Sequence, residues 1–261
     1  MSRYSVSWLA VLLLATSTTF AAGLPDTGQN LCDNGVNVLA ECTSNDSGNG
    51  ANFPRQDGRF GPDAKATAGS LTKIGGGAAG FDYSKIANNG SDLGPGVGLS
   101  VGTGSTDWAC TRDNITGLMW EVKLNDASQL RDMHWTYTWY SSDGTVNGGT
   151  PGTTGGGICQ TPGRCDTEKY IADVNTSMLC GNTAWRLPTQ RELLTLVHSG
   201  TENPTIDVTY FPNTALTAHW SGTPFVSVRS GAWVVIFDSG DSDGKDKGGT
   251  FSVRLVRGGQ F

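Results

Sequence analysis

No cysteine follows Cys180, and none of the six in the chain stands in a C-x-x-C pair. This argues against reactive thiols late in the chain and against paired-cysteine zinc or redox motifs. Histidine is sparser still: His134, His198 and His219 lie far apart, none with a metal-binding partner at helical or hairpin spacing. The Gly75-Gly76-Gly77 run lacks the Lys-Ser/Thr of a phosphate loop. No apolar run approaches the roughly 20 residues that a membrane helix requires. Positive charge is also short, with 18 Lys+Arg against 24 Asp+Glu. Such a chain has no general attraction for nucleic acid or an anionic membrane.

What is there begins with an address. Arg3 precedes the apolar run Trp8 to Ala15, and Thr19-Phe20-Ala21 supplies small residues after it. This pattern predicts a secretory signal peptide over residues 1–21, too short to anchor in a bilayer, with no nearby cysteine for lipidation. Its removal takes away Arg3 and no acid, moving the net charge from −6 to −7. Cys32, Cys42, Cys110, Cys159, Cys165 and Cys180 all remain, an even number suited to an oxidising compartment. Three bridges are expected, with Cys32–Cys42 as a local loop and Cys110–Cys159 and Cys165–Cys180 behind it. The expected location is extracytoplasmic, periplasmic or secreted, with no integral membrane segment after cleavage.

Residues 22–104 are expected to form a Gly/Asn-rich extended arm or linker. Gly23 to Gly104 holds 18 of the 37 glycines without sustained apolar periodicity. Isolated apolar residues, among them Phe53, Phe60, Leu71, Ile74, Phe81, Tyr83 and Ile86, are candidates to dock it onto a neighbour. A domain is expected over residues 105–261. Trp108–Asp113 and Gly117–Val122 read as strands around a turn, and His134–Tyr140 alternates as a strand would. Asp166 caps a helix carrying Tyr170, Ile171, Val174 and Met178, which ends near Cys180-Gly181. Ala232–Phe237 is a continuous apolar run, the mark of a strand buried on both faces. Phe251–Arg257 alternates, with Phe251, Val253 and Leu255 inward, and residues 238–250 form a charged hairpin loop. Two helices and short antiparallel strands make an α+β domain.

The best-defined boundary is at Thr189. Thr189 and Glu192 have capping-box spacing, and Pro188 keeps Leu187 out of a helix. Leu193, Leu194, Leu196 and Val197 follow as a short apolar face. Arg186 is expected to anchor this turn through carbonyl or carboxylate hydrogen bonds. Trp120, Trp185, Trp220 and Trp233 are expected in the core.

Three motifs occur in the order of one family: Thr116-Gly117-Leu118-Met119-Trp120, then Trp185-Arg186-Leu187-Pro188-Thr189 with Glu192-Leu193, then Val253-Arg254-Leu255-Val256-Arg257. Over about residues 107–258 the chain resembles the bacterial Lcl C-terminal domain family, named after the end domain of a collagen-like adhesin. The Trp-Arg-Leu-Pro-Thr piece is also similar to the sulfatase-modifying (formylglycine-generating) family. The resemblance implies a C-type-lectin-like fold, an extracytoplasmic setting and, in the founding adhesin, binding of sulfated glycosaminoglycans. Two departures matter: this chain has no collagen-like Gly-X-Y region, and it is acidic where a sulfated partner favours a basic face. Formylglycine-type chemistry needs late thiols, and none follows Cys180.

The reading is therefore a binding or surface-interaction module, adhesin-like, with a glycan or a surface protein as partner. The alternative is an extracytoplasmic enzyme of undefined chemistry on a formylglycine-generating-like fold; no catalytic residue is assigned. For a glycan the candidates are Trp135, Tyr137 and Trp139, which alternation places on one strand face about 7 Å apart. Asp132, His134 and Ser141 stand beside them for hydroxyl contacts. The competing role for that face is closing the core. No cofactor is expected. Calcium has one sequence argument, the carboxylates Asp238, Asp241, Asp243 and Asp246, but Thr250 stands where an EF-hand loop needs its bidentate Glu.

Overall fold

The computed structural model describes residues 25–29, 31–32, 40–41, 56–94, 96 and 98–258. The expected signal peptide, Phe53 and Cys42 lie outside these residues. A two-residue pair, β1 (Leu31–Cys32) with β2 (Ala40–Glu41), precedes two short helices, α1 (Asp57–Phe60) and α2 (Pro62–Thr67). Then come β3 (Tyr83–Ala87), β4 (Asp92–Gly94), β5 (Trp108–Asp113), β6 (Met119–Glu121) and β7 (Tyr137–Thr138). Helix α3 (Thr167–Thr176), a 3-10 turn at Leu179–Gly181 and α4 (Gln190–Leu194) follow. The chain ends on β8 (Ala218–Pro224), β9 (Gly231–Ile236), β10 (Ser242–Asp246), β11 (Thr250–Phe251) and β12 (Val256–Arg257). This is an α+β architecture of few helices and several antiparallel sheets.

The largest sheet has five strands in the order β12-β6-β5-β3-β4. The β5–β6 turn forms as its sequence dictates: Asp113 accepts from the Ile115 and Thr116 amides at 2.8 and 3.2 Å, and Gly117 takes φ +73°. Strands β3 and β4 come from the glycine-rich stretch. β3 pairs with β5 from Tyr83↔Asp113 to Ala87↔Trp108 and is buried throughout. Phe81, Tyr83 and Ile86 are core residues, whereas Phe60 and Ile74 are exposed.

The second sheet, β10-β9-β8, has β9 at its centre. Ala232 and Val234 face one hydrophobic cluster, with Trp220, Val253 and Leu255, while Val235 and Phe237 face the other, with Trp120, Leu193 and Phe211. The apolar run is thus buried on both faces because two cores meet across it. Of the four tryptophans expected inside, Trp120, Trp185 and Trp220 are buried and Trp233 is half-buried, edge-on to Phe225.

Several expectations are corrected. Phe251–Arg257 is not one strand: β11 pairs with β7, β12 pairs with β6, and Arg254 between them is fully buried rather than outward. The charged loop after β9 is partly strand, since Ser242–Asp246 pairs with β9. Asp166 caps α3 through the Lys169 amide at 2.9 Å, but the helix stops at Thr176. Met178 turns left-handed at φ 54° and is exposed, so it leaves the apolar face. The disulfides are Cys110–Cys180 and Cys159–Cys165. Cys32 is also disulfide-bonded. The expected Cys110–Cys159 and Cys165–Cys180 pairs do not form, because the 3-10 turn after α3 lies against β5.

Candidate functional site

The three sequence motifs meet at one seam. Met119 and Trp120 of β6 pair with Arg257 and Val256 of β12, and Arg186 exchanges backbone hydrogen bonds with Val256 at 3.0 Å each. From this position the Arg186 guanidinium reaches both oxygens of buried Glu192, at 2.7 and 2.8 Å, and the Leu187 carbonyl at 3.1 Å. Glu192 in turn accepts from the Thr189 amide at 2.7 Å, and the Thr189 hydroxyl accepts from the Glu192 amide at 3.1 Å. The capping box and the Arg186 anchor therefore form one unit, which ties α4 to the five-stranded sheet.

Below the seam sits a charge cluster that the sequence did not flag. Glu121 Oε1 accepts from Lys123 Nζ at 3.1 Å and from the Tyr170 hydroxyl, and Oε2 accepts from the Leu255 amide at 2.9 Å. Arg254 donates to the Glu121 carbonyl at 2.6 Å and to the Thr214 hydroxyl at 2.7 Å. Burial pushes the Tyr170 hydroxyl well up, the Lys123 ammonium down and the Arg254 guanidinium down to about 10. Burial, with Arg254 nearby, holds His219 down to about 3, so it is neutral. An acid, a base and a phenol converge here as catalysis requires, yet Glu121, Lys123, Tyr170 and Arg254 are 0–2% exposed. The cluster is closed to solvent, and it joins the end of β6 to α3 and to the segment between β11 and β12. The available signal was a pair of opposite charges, Glu121 and Lys123, set among the apolar residues Trp120, Val122 and Leu124.

The aromatic triad is not an open platform. Tyr137 and Trp139 are 1% and 2% exposed, and Trp135 is half-buried. Trp139 donates to the Ser221 carbonyl at 2.8 Å, with the Lys247 ammonium 4.4 Å from its ring, and Tyr137 packs on Tyr170 at 4.5 Å. Tyr137 and Trp139 both belong to the hydrophobic core, the strand runs only over Tyr137–Thr138, and Thr138 between the two rings is buried as well. Asp132 is buried and accepts from the His134 amide and ring, at 2.8 and 2.9 Å.

Solvent-accessible polar chemistry gathers instead on the loop after β6. A cleft of about 310 Å³ is lined by Thr103, Asn125, Asp126, Gln129 and Asn213, with Val101, Gly102 and Leu124. A second hollow of about 250 Å³ shares Thr103, Leu124 and Gln129 with it and adds Asn88 and Arg131. The walls are braced from behind: Arg131 donates to the Gly102 carbonyl at 2.9 Å, and Asn213 to the Lys123 carbonyl at 3.1 Å. The Ser128 hydroxyl and amide hold the Asp126 carboxyl below the usual range, so it is ionised and acts as an acceptor. The cleft thus offers amides, a hydroxyl and one carboxylate, a set suited to binding hydroxyl groups.

The residues matched to known families are 109–257, and the match is to the Lcl C-terminal domain. The chain belongs to the Lcl C-terminal domain family. Comparisons with curated proteins and with solved structures give no match. Within the Lcl domain, Gly240-Asp241-Ser242-Asp243-Gly244 has the Gly-x-Ser-x-Gly spacing of a nucleophile elbow. It joins β9 to β10 in a hairpin rather than a strand to a helix, and the Ser242 hydroxyl accepts from Gln190 at 3.0 Å. The hairpin carboxylates of the Lcl domain are separately engaged. Asp243 pairs with Lys245 at 2.7 Å, Asp241 accepts from the Ser239 hydroxyl at 2.7 Å, and Asp246 from the Gly248 amide at 2.8 Å. Among the described residues, the carboxylates that do converge are Asp26, Asp57 and Asp63, ahead of the matched region.

Proposed function

We propose that this protein is an extracytoplasmic binding module whose Lcl domain, C-type-lectin-like in fold, seats a neutral glycan in the cleft beside Asp126. The carrying observation is the cleft itself. Asn125, Asp126, Gln129 and Asn213 surround an accessible hollow, while the groups with catalytic chemistry are closed off in the core. Sugar recognition needs convergent donors and acceptors at fixed positions, and side chains braced on neighbouring backbone meet that need. The acidic balance of the chain favours an uncharged saccharide over a sulfated one. Disulfides support the extracytoplasmic setting. No helix among the described residues is long and apolar enough to cross a membrane.

A glycan array probed with the purified protein tests this reading. Retention of a neutral oligosaccharide is expected, with loss of at least tenfold in Asn125→Ala/Gln129→Ala, two lining residues outside the left-handed backbone region, at an unchanged melting temperature. No retained glycan, or retention unaffected by that double substitution, would sink it.

A further inference from the structure

Three aspartates from separate segments meet ahead of the Lcl domain. Asp26 lies in the 25–29 segment, Asp57 opens α1 and Asp63 sits in the first turn of α2, with one carboxylate oxygen from each within 4.8 Å of the others. Asp26 and Asp63 are only 5% and 2% exposed. A single amide, that of Gly80, donates to Asp26 Oδ2 and to Asp63 Oδ1, both at 2.8 Å. The other oxygens, Asp26 Oδ1 and Asp63 Oδ2, are buried with no hydrogen-bond partner.

That arrangement is short of positive charge. A buried ionised carboxylate is costly unless it is paired, and two lie side by side here with a third close by. Burial next to Asp26 raises the Asp63 carboxyl to about 7. Lys73 feels the same field, but its ammonium donates to the Gly77 and Ala79 carbonyls, at 2.8 and 2.6 Å. The backbone is built close to the cluster: a Cβ at Gly80 would stand 2.8 Å from the Asp26 carboxyl carbon and 2.2 Å from Pro62. Of the three aspartates, Asp26 also lines a solvent-open groove of about 360 Å³, with Thr27, Arg191 and Leu194.

We propose that Asp26, Asp57 and Asp63 bind a hard divalent cation such as Ca²⁺. The donors are all oxygen, which suits calcium or magnesium and not a metal that prefers nitrogen or sulfur. The two unpartnered oxygens supply ligands without breaking the bonds to Gly80. The bound ion clamps the 25–29 segment and α1–α2 to the chain entering β3. The 25–29 segment is already joined to the loop after α4 by the Ser199 amide, which donates to the Thr27 carbonyl at 2.8 Å.

The test is calorimetry and thermal melting of the EDTA-stripped full chain with CaCl₂, and in parallel with MgCl₂ and ZnCl₂. One calcium site is expected, with a melting rise of roughly 5–10 °C at a hundredfold excess over Kd. Asp63→Asn and Asp57→Asn should each abolish the rise. Both should still melt in EDTA at or above the parent's temperature, since each removes one of three like charges; this separates loss of the site from loss of the fold. Asp241→Asn/Asp243→Asn in the hairpin should keep the full response. A parent protein indifferent to calcium and magnesium would overturn the proposal and leave a proton shared by Asp26 and Asp63 as the missing charge. So would a response to zinc alone, or one that survives in the Asp57 and Asp63 variants and disappears in the hairpin variant.

Discussion

Glu192 is the side chain whose removal should expose the logic of the Lcl seam. It is fully buried and makes two kinds of contact, one to the Thr189 amide and a bidentate one to Arg186, whose side chain is 25% exposed. Thr189→Ala deletes only the hydroxyl that accepts from the Glu192 amide, and such caps are worth about 1 kcal/mol. Glu192→Gln keeps an acceptor for the Thr189 amide and loses the ionic pairing, which should cost about 2 kcal/mol given the partial exposure of Arg186. Glu192→Ala loses both contacts and leaves the guanidinium without its carboxylate, so about 3–5 kcal/mol is expected. For a domain of this size each kcal/mol moves the melting temperature by roughly 2–4 °C. The double variant Thr189→Ala/Glu192→Ala should fall short of additivity by at least about 0.5 kcal/mol, because both bonds hold the same turn. Urea melts of the four variants provide the measurement. Strict additivity, or a Glu192→Ala loss no larger than that of Thr189→Ala, would refute the seam as one unit.

Two further outcomes follow from buried groups. Trp139→Ala should cost about 3–5 kcal/mol, since the ring is 2% exposed and its N–H is spent on Ser221; a normal melting temperature would return Trp139 to the surface. His219 is neutral in the fold, with its pKa lowered from 6.5 to about 3, so the unfolded chain binds the extra proton between those values. Its contribution is therefore intact above about pH 6.5 and lost as pH falls toward 3, amounting to about 2 kcal/mol by pH 5. His219→Gln should flatten that limb of the stability–pH curve, and an identical curve for parent and variant would reject the neutral buried imidazole.

Features closed within a few residues were legible in the sequence. The Thr189–Glu192 box, the Asp166 cap and the Asp113–Gly117 turn each join groups two to four positions apart, where local geometry leaves few alternatives. The three motifs of the Lcl domain were likewise readable in linear order, and the apolar run of β9 announced its two-sided burial. Tertiary structure alone decided the rest, because the partners are far apart along the chain. Cys110 meets Cys180 across 70 residues. Glu121 is matched to Arg254 and Leu255 more than 130 positions away. Local composition marked the stretch before residue 105 as an arm, yet β3 lies between β4 and β5, because a strand buried on both sides needs partners that its own neighbourhood does not reveal. The alternation of Trp135, Tyr137 and Trp139 suggested a shared strand face, but a local pattern does not reveal what packs against each ring. Only the packing of β8, α3 and Lys247 made Tyr137 and Trp139 interior, while Trp135 stays half-buried.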